Sequence, residues 1–128
     1  MVVVVEGLGV DIVEVARIQK ALTRFGRRFL QRVFTQHEQD YCNRKAHPQQ
    51  SFAARFAAKE AVLKAAGIGL SGGVRWTDVE VVNAESGQPE VRLGPTLVRK
   101  IGNKKVLLSI SHTKELAIAQ AILMRDSE

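Results

Sequence analysis

The amino-acid sequence predicts an α+β fold, with helices mainly in the first half of the chain and an antiparallel sheet mainly from the second half. Apolar residues recur with helical spacing up to about Ala66, and they alternate with polar residues from Val79 onwards. The chain has 128 residues, of which 45% are hydrophobic, enough to bury one sizeable core but hardly two. We therefore expect one compact domain over residues 1–128.

Local signals divide the first half into one strand and three helices. A β-branched run opens the chain, and Thr35 followed three residues later by Glu38 has the form of a capping box. Gly67 lies where a C-cap glycine would end a long helix. The expected elements are a strand Val2–Val5, a helix Ile12–Phe25, a short helix from Thr35 to about Cys42, and a long helix that Pro48 and Ser51 precede and that ends near Ala66.

The second half predicts a hairpin, a short helix and two further strands. The run Glu85–Pro89 carries the turn residues of a hairpin between two alternating segments. The expected elements are the hairpin strands Val79–Val82 and Val91–Leu93, a short helix over Leu97–Ile101, and the strands Val106–Ser111 and Ala117–Leu123.

The long helix is the most informative segment, because it combines an apolar side with a charged one. Its core side is expected to carry Phe52, Phe56 and Leu63. Glu60 and Lys64 share a second side with Ala53 and Ala57, whose small side chains project little from the helix. Lys59 falls on the core side, consistent with a stem that snorkels. Glu60 and Lys64 are either a helix-stabilising ion pair, contributing about 0.2–0.5 kcal/mol, or part of a reaction site.

Asp11 has two interpretations. It follows the first predicted strand, and with Glu14 three residues later it can form an N-cap and capping box for the helix Ile12–Phe25. Alternatively, its carboxylate meets that of Glu60 and the two hold a cation. Two carboxylates completed by substrate phosphate oxygens and water are a usual way of binding Mg²⁺. Lys64 would then be the additional cation that phosphoryl chemistry requires.

His112 ends an alternating stretch in which Ser109 and Ser111 share one face. Two hydroxyls followed by an imidazole can hydrogen-bond a phosphate. A histidine at the end of a strand can equally be structural. The residues alone leave both interpretations of His112 open.

Positive charge is concentrated in one early segment. The net charge is +6, and residues 12–34 carry six cations and one anion, or +5. On the predicted first helix Arg17, Lys20 and Arg24 form a cationic face opposite an apolar one. The apolar face is expected to carry Val15, Ile18, Leu22 and Phe25. The cationic face is either merely solvated or binds nucleic acid, anionic lipid or an acidic protein.

Cysteine usage and hydropathy indicate the compartment. The single cysteine, Cys42, excludes an internal disulfide and has no metal-site spacing, so we expect a reducing cytoplasm. The apolar opening Met1–Val5 is too short for a signal peptide, and no segment is long enough to cross a membrane. Aromatic residues make up only 5% of the chain, which disfavours nucleic-acid binding.

Five sequence blocks, in order over residues 7–113, resemble the bacterial holo-acyl-carrier-protein synthases, a branch of the 4′-phosphopantetheinyl transferases. The third block resembles the family signature and includes Glu60 and Lys64. The five blocks are Gly7–Val15 with Arg17-Ile18, Phe34-Thr35 with Glu38 and Tyr41-Cys42, Arg55–Ala61 with Lys64-Ala65, Gly87–Pro89, and Ser109–Thr113.

The resemblance implies an enzyme with the 4′-phosphopantetheinyl transferase fold. Such an enzyme moves the phosphopantetheine arm of coenzyme A to a serine of apo acyl carrier protein and releases adenosine 3′,5′-bisphosphate. By resemblance, Asp11 and Glu60 would be Mg²⁺ ligands, Glu60 and Lys64 would be catalytic, and Lys64 would also contact the pyrophosphate of coenzyme A. Arg55 and His112 would contact the nucleotide's phosphates.

The resemblance also implies two kinds of macromolecular contact. The cationic face of Arg17, Lys20 and Arg24 would dock the acidic carrier protein, and the chain would form a homotrimer with active sites at subunit interfaces. A small basic nucleic-acid-binding domain is the alternative from another class, and a coenzyme A-binding module without catalysis is a third possibility.

Overall fold

The computed structural model describes residues 2–127, and the fold is α+β as expected. In addition to one 3₁₀ turn at Trp76–Asp78, this part of the chain contains five α-helices and five strands. In chain order they are β1 (Val2–Glu14), α1 (Val15–Phe25), α2 (Arg27–Val33), α3 (Gln36–Asn43), α4 (Pro48–Ala66), β2 (Val79–Asn83), β3 (Pro89–Leu93), α5 (Pro95–Ile101), β4 (Lys105–His112) and β5 (Leu116–Ser127).

The strands form two antiparallel sheets. β1, β5 and β4 make a three-stranded sheet in that order, so β5 is central and the other two are its edges. β2 and β3 form the expected hairpin as a separate two-stranded sheet. Since β1 is 13 residues long, the first half of the chain contributes more to the main sheet than its sequence predicted.

The start of the first helix was predicted incorrectly. The strand does not end at Val5 but continues to Glu14, with a register shift between Val5 and Gly7, and α1 begins only at Val15. Pairing with β5 sustains the strand, which a local pattern could not indicate. The N-cap of α1 is Glu14, without a side-chain cap hydrogen bond, so the interpretation of Asp11 as an N-cap is wrong. Asp11 lies inside the sheet, opposite Ala119.

Other boundaries followed their local signals more closely. The capping box of α3 is present: Glu38 N donates to Thr35 Oγ1 over 3.2 Å, and Thr35 N donates to Glu38 Oε1 over 2.9 Å. Helix α4 ends at Ala66 with Gly67 as its C-cap, but it begins at Pro48, which occupies the first turn. Helix α5 likewise begins with its proline, two residues before the predicted start. The seven-residue helix α2 was not predicted.

Helix α4 is buried on more than one side. The predicted core residues Phe52, Phe56 and Leu63 are buried as expected. Ala53 and Ala57, on the second side, are also fully buried, because this part of the helix packs against the main sheet. The face of the sheet that points away from α4 is exposed. This outer sheet face carries six large apolar side chains, each at least 41% exposed: Leu8, Val10, Ile12, Leu107, Leu116 and Ile118.

Glycines allow β1 to approach α4 at backbone distance. A Cβ atom added at Gly7 would overlap the carbonyl oxygen of Ala65, and one added at Gly9 would overlap the carbonyl oxygen of Ala61. At Gly9 the added atom would also lie 2.7 Å from the backbone nitrogen of Ala65. No side chain fits between the strand and the helix at these two positions, so the backbones themselves are in contact.

A buried ion pair joins α4 to its other neighbours. Lys59 Nζ lies 2.7 Å from Glu38 Oε1, with both side chains fully buried. Lys59 also donates to the carbonyl oxygens of Trp76 and Val79, and Glu38 Oε2 accepts from Val81 N over 2.7 Å. Burial lowers the pKa of Lys59, while Glu38 opposes that shift. Lys59 therefore does not snorkel to solvent, and removing either partner would leave a buried charge, at a cost of about 3–5 kcal/mol.

In the described part of the chain, residues 2–127, no helix combines the length and hydropathy needed to span a membrane.

Gly9→Ala is predicted to destabilise the fold by about 1–3 kcal/mol or more, because the new methyl group overpacks the contact between β1 and α4. Urea unfolding followed by circular dichroism measures this loss. Gly69→Ala is the matched control, since a Cβ at Gly69 meets no atom within 4 Å. Equal stability of the two variants would contradict the tight contact at Gly9.

Candidate active site

β1 and α4 bring Asp11 together with Lys64. Asp11 is only 9% exposed, and its Oδ1 accepts a hydrogen bond from Lys64 Nζ over 2.9 Å. The same ammonium donates to the carbonyl oxygen of Val10 over 3.1 Å. The lysine's salt bridge is therefore with Asp11 on the strand, and the interpretation of Glu60 and Lys64 as a simple helix pair is wrong.

Glu60 lies one turn before Lys64 and faces the same strand. Its side chain is half-buried, and burial, together with the nearby charge of Asp11, raises the pKa of Glu60 above the ordinary glutamate value. Arg17 and Lys64 counteract that shift. Two carboxylates are thus held side by side although their charges repel, an arrangement that usually serves to bind a cation or a proton.

One oxygen of this pair is poised for a further ligand. Asp11 Oδ2 is buried and has no hydrogen-bond partner among residues 2–127. In the same residues no group of three or more His, Cys, Asp and Glu side chains could form a complete metal site. Asp11 and Glu60 therefore fit a hard divalent cation that takes its other ligands from water and a phosphorylated substrate.

Lys64 is set up to remain charged. Its hydrogen bond to Asp11 and the charge of that carboxylate raise the pKa of the lysine above its ordinary value. The side chain is about half exposed, so it is also within reach of a ligand arriving from solvent. Lys64 is accordingly a source of positive charge and a poor proton donor at neutral pH.

Arg55 and His112 both line a second site, a pocket of about 170 Å³. Arg55 is only 4% exposed, and its Nη2 donates to Asn83 Oδ1 over 2.6 Å. Its Cζ lies 4.1 Å from the centre of the Tyr41 ring, and its Nε is buried without a partner in the described chain. Between residues 2 and 127 no carboxylate forms a salt bridge with Arg55 or His112. We call this the distal pocket.

The distal pocket and the carboxylate pair lie on opposite sides of α4. Asp11 is on edge strand β1 and His112 is on edge strand β4, with the central strand between them. Both point to the sheet face on which α4 packs. Arg55 and Glu60 are five residues apart on that helix, which separates them by about 140° around its axis. Within one chain the helix therefore divides the predicted site residues into two groups.

The serines near His112 do not continue into the distal pocket. Alternation along β4 puts His112 on the side of Ile110 and α4, whereas Ser109 and Ser111 lie on the outer sheet face. A continuous row of hydroxyls ending in the imidazole is therefore absent from β4. Sequence reasoning assigned no role to Asn83 or to Tyr41, although both contact Arg55. Only Tyr41 carried a sequence signal, through its place in the second family block.

The cationic face of α1 is exposed as predicted. Arg17, Lys20 and Arg24 all reach solvent, while Val15 and Ile18 are buried. Phe25 is 52% exposed, so its placement on the core side was wrong. The guanidinium carbon of Arg17 lies 5.7 Å from the centre of the Phe56 ring, which brings this end of the cationic face close to Glu60.

Comparison with known proteins assigns the family. The family model described as the 4′-phosphopantetheinyl transferase superfamily matches residues 7–121. A holo-[acyl-carrier-protein] synthase of Chlamydia felis is 47% identical over 117 residues, which cover 91% of this chain and 95% of that protein. The chain belongs to the 4′-phosphopantetheinyl transferase superfamily and, within it, to the holo-[acyl-carrier-protein] synthase enzymes.

Solved structures agree with this assignment. The holo-[acyl-carrier-protein] synthase of Neisseria meningitidis superposes with a TM-score of 0.85 at 32% identity, covering 94% of this chain and 98% of that one. The enzyme of Helicobacter pylori, solved in complex with coenzyme A, gives a TM-score of 0.82 at 31% identity and covers 91% and 98% of the two chains. The fold and the enzyme class expected from the sequence are thus confirmed.

Proposed function

We propose that this chain transfers the 4′-phosphopantetheine group of coenzyme A to a serine of apo acyl carrier protein and releases adenosine 3′,5′-bisphosphate. The observation that carries the proposal is the meeting of Asp11, Glu60 and Lys64 at the contact between β1 and α4. A carboxylate pair with an adjacent permanent cation suits the cleavage of a pyrophosphate. The binding of coenzyme A by the Helicobacter pylori relative supports the substrate class.

Asp11 and Glu60 are proposed as the protein ligands of Mg²⁺. The unpartnered, buried Asp11 Oδ2 and the repulsion between the two carboxylates support this choice. When bound, Mg²⁺ would neutralise charge on the pyrophosphate and favour its cleavage. Two protein ligands leave room for substrate oxygens, as is usual for this ion.

The remaining steps are assigned to side chains of the chain itself. The serine oxygen of the carrier attacks the phosphorus that bears pantetheine, and the bond from that phosphorus to the leaving adenosine phosphate breaks. Glu60 is proposed to accept the serine proton, directly or through a water. Lys64 stabilises the leaving phosphate by charge, since its raised pKa keeps the proton on the ammonium.

The distal pocket is proposed to hold the nucleotide end of coenzyme A through its phosphates. Arg55 is buried, and no carboxylate in the described chain forms a salt bridge with its positive charge. Binding of an anion beside this guanidinium would supply the compensating negative charge and is therefore favourable. His112 lines the same pocket and can donate to the same anion. These two residues therefore select the substrate, whereas Asp11, Glu60 and Lys64 act on the bond that breaks.

Arg17, Lys20 and Arg24 are proposed as the docking face for the acidic carrier protein. Their exposed side chains lie on one helix, and the helix begins directly after the strand that carries Asp11. Attraction between this cationic face and an acidic carrier would raise the association rate in a salt-dependent manner. A reducing cytoplasm is the proposed location, in agreement with the free and fully buried thiol of Cys42.

The complete site is proposed to form between copies of the chain, as a homotrimer. Helix α4 separates the distal pocket from the carboxylate pair within one chain, so an adjacent copy is the simplest source of the missing half. The outer sheet face offers a contact surface, because six large apolar side chains on it are at least 41% exposed. Exposed apolar surface of this extent is typical of protein–protein interfaces.

Transfer is tested by intact-mass spectrometry of apo acyl carrier protein incubated with coenzyme A, Mg²⁺ and the enzyme. We expect the carrier to gain one phosphopantetheine, and chelation of the metal to abolish the gain. Glu60→Gln keeps the side-chain shape but removes the charge, so turnover should fall by about 10²-fold or more.

Asp40→Asn, on the exposed surface of α3, controls for loss of a carboxylate elsewhere and should keep wild-type turnover. Near-normal turnover of a folded Glu60→Gln variant would reject the metal and base role. No mass gain with the wild-type enzyme, together with no Mg²⁺-dependent binding of coenzyme A, would reject the proposed reaction.

Arg17→Glu is expected to raise the KM for the carrier protein much more than the KM for coenzyme A, because it reverses charge on the docking face. Because the charge of Arg17 also lowers the pKa of Glu60, Arg17→Glu changes the reaction site as well as the docking face. Lys20→Glu tests the docking face without that effect on Glu60. Arg99→Glu on α5 is a control for charge reversal at an exposed cation outside this face. Steady-state kinetics at two salt concentrations measures the effect, and equal changes in both KM values would refute the docking face.

Ile118→Glu is expected to reduce the oligomer to smaller species and to abolish turnover, because it buries a charge in the proposed interface. Leu70→Glu is the matched control: Leu70 is 42% exposed and Ile118 is 43% exposed, but Leu70 lies in a loop. Light scattering coupled to size-exclusion chromatography gives the mass of each variant. A monomeric Ile118→Glu variant with full turnover would show that one chain contains the whole site.

A further inference from the structure

Lys59 and Glu38 are buried charged side chains that the proposed mechanism does not use. Their charged atoms lie 2.7 Å apart, and both side chains are 0% exposed. The carboxylate of Glu38 also accepts hydrogen bonds from Thr35 N over 2.9 Å and from Val81 N over 2.7 Å. Lys59 Nζ donates to two backbone carbonyl oxygens as well, one of which belongs to β2. The ammonium thus has three acceptors for its three protons, and the pair is a hydrogen-bonded junction of α3, α4 and β2.

Stability alone does not account for such a junction. Two charges lose their hydration when they are buried, so replacing a buried ion pair by apolar side chains of similar volume is often neutral or even stabilising. The best-attested use of buried charged or polar groups is to select one packing arrangement among several. In this chain the arrangement that needs to be selected is the rotation of α4 about its own axis.

The contact between α4 and β1 does little to define that rotation. Gly7 and Gly9 lie directly against the carbonyl oxygens of Ala65 and Ala61, so backbone meets backbone at these points. Neither glycine offers a side chain that could interlock with the helix, and interlocking side chains are what normally define how a helix packs on its neighbour. Ala61 and Ala65 lie about 160° and 120° around the helix from Lys59. The buried ion pair therefore holds α4 from roughly the opposite side.

The reaction site is sensitive to the rotation of α4. Glu60 projects about 100° from Lys59, close to Asp11, and the charges of the two carboxylates repel. A rotation that turned Glu60 away from β1 would relieve this repulsion. Since side chains reach about 5–6 Å from a helix axis, a rotation of about 20° moves a carboxylate by about 2 Å. Mg²⁺ takes oxygen ligands at about 2.0–2.1 Å in near-ideal geometry, so a shift of that size would prevent the two carboxylates from sharing one ion.

We propose that Lys59 and Glu38 are positioning residues of the reaction site: they fix the rotation of α4 and so keep Glu60 beside Asp11 in the geometry that a divalent cation requires. This role rests on the proposed function and adds to it a fully buried pair that acts through the helix. A role in folding stability alone is the competing explanation. The two explanations differ because only a positioning role links the pair specifically to metal binding and to kcat.

The test uses the double variant Glu38→Gln/Lys59→Met, which removes both charges at similar side-chain size and leaves neither charge buried without its partner. Binding of Mn²⁺, a paramagnetic probe of a divalent-cation site, is measured by electron paramagnetic resonance, and steady-state kinetics gives kcat and the KM for the carrier. We expect Mn²⁺ affinity to fall about tenfold or more and kcat to fall by about 10- to 100-fold, because a misplacement of about 1 Å has effects of this size. The KM for the carrier, which depends on α1, should remain within about twofold.

Val62→Ala is the matched control, since Val62 is fully buried on the same helix but carries no charge. The truncation leaves a cavity and lowers stability, which urea unfolding measures for every variant. Mn²⁺ affinity and kcat of Val62→Ala should stay close to the wild-type values. Glu38→Asp replaces the double variant if that protein does not fold. It keeps the charge but shortens the side chain by one methylene, and it should lower both Mn²⁺ affinity and kcat.

A folded double variant with wild-type Mn²⁺ affinity and kcat would overturn the positioning role, and wild-type behaviour of Glu38→Asp would do so in its place. If Val62→Ala lowers Mn²⁺ affinity and kcat as much as the double variant does at the same loss of stability, the pair acts on stability alone and the positioning role is likewise overturned.

The metal pair and the reaction are checked separately. If the wild-type protein transfers phosphopantetheine but Glu60→Gln binds Mn²⁺ equally well, the metal pair is rejected together with the positioning role, whereas the reaction stands. If no transfer occurs but Mn²⁺ binding depends on Glu60, the reaction is rejected, and Mn²⁺ affinity alone decides the role of Lys59 and Glu38.

Discussion

The contact between the backbone of β1 and the backbone of α4 is the constraint on which the rest of the structure depends. Gly7 and Gly9 let the strand lie directly against the helix, where Ala61 and Ala65 present no bulk. Asp11 follows two residues later on the same side of the strand. A side chain at either glycine would move the strand away from the helix and separate Asp11 from its partners. The cost of this arrangement is repulsion between carboxylates, which the ammonium of Lys64 only partly offsets.

The buried pair of Lys59 and Glu38 complements this contact from the other side of the helix. Because α4 is buried around most of its circumference, its rotation must be defined by specific contacts and not by a single apolar stripe. Lys59 ties the helix to α3 and to the start of the hairpin through Glu38 and two carbonyl oxygens. Its neighbour in the chain, Glu60, projects about 100° further around the helix axis and thereby faces β1. The buried pair of Lys59 and Glu38, although costly to bury, thus fixes the side of α4 from which the Glu60 carboxylate projects.

Helix α4 also explains why the chemical groups fall into two sets. It packs across the middle of the sheet, so that residues on the edge strands meet different sides of it. The carboxylate pair therefore faces β1 and the distal pocket faces β4, while the opposite face of the sheet remains apolar and exposed. These three facts have one common explanation if neighbouring copies cover the outer sheet face and supply the second half of each site.

The sequence predicted well those features that depend only on residues close together in the chain. These are the capping box of Thr35 and Glu38, the glycine that ends α4, the hairpin and the family signature. Tertiary structure decided the rest. β1 extends to Glu14 because it pairs with a strand more than 100 residues later, and this pairing made Asp11 a sheet residue and not a helix cap. The burial of Lys59 and the ring beside Arg55 likewise arise from contacts between distant segments. The sequence by itself determined which residues carry charge and where helices end, whereas burial and strand pairing, which depend on the whole chain, decided which of those charges meet.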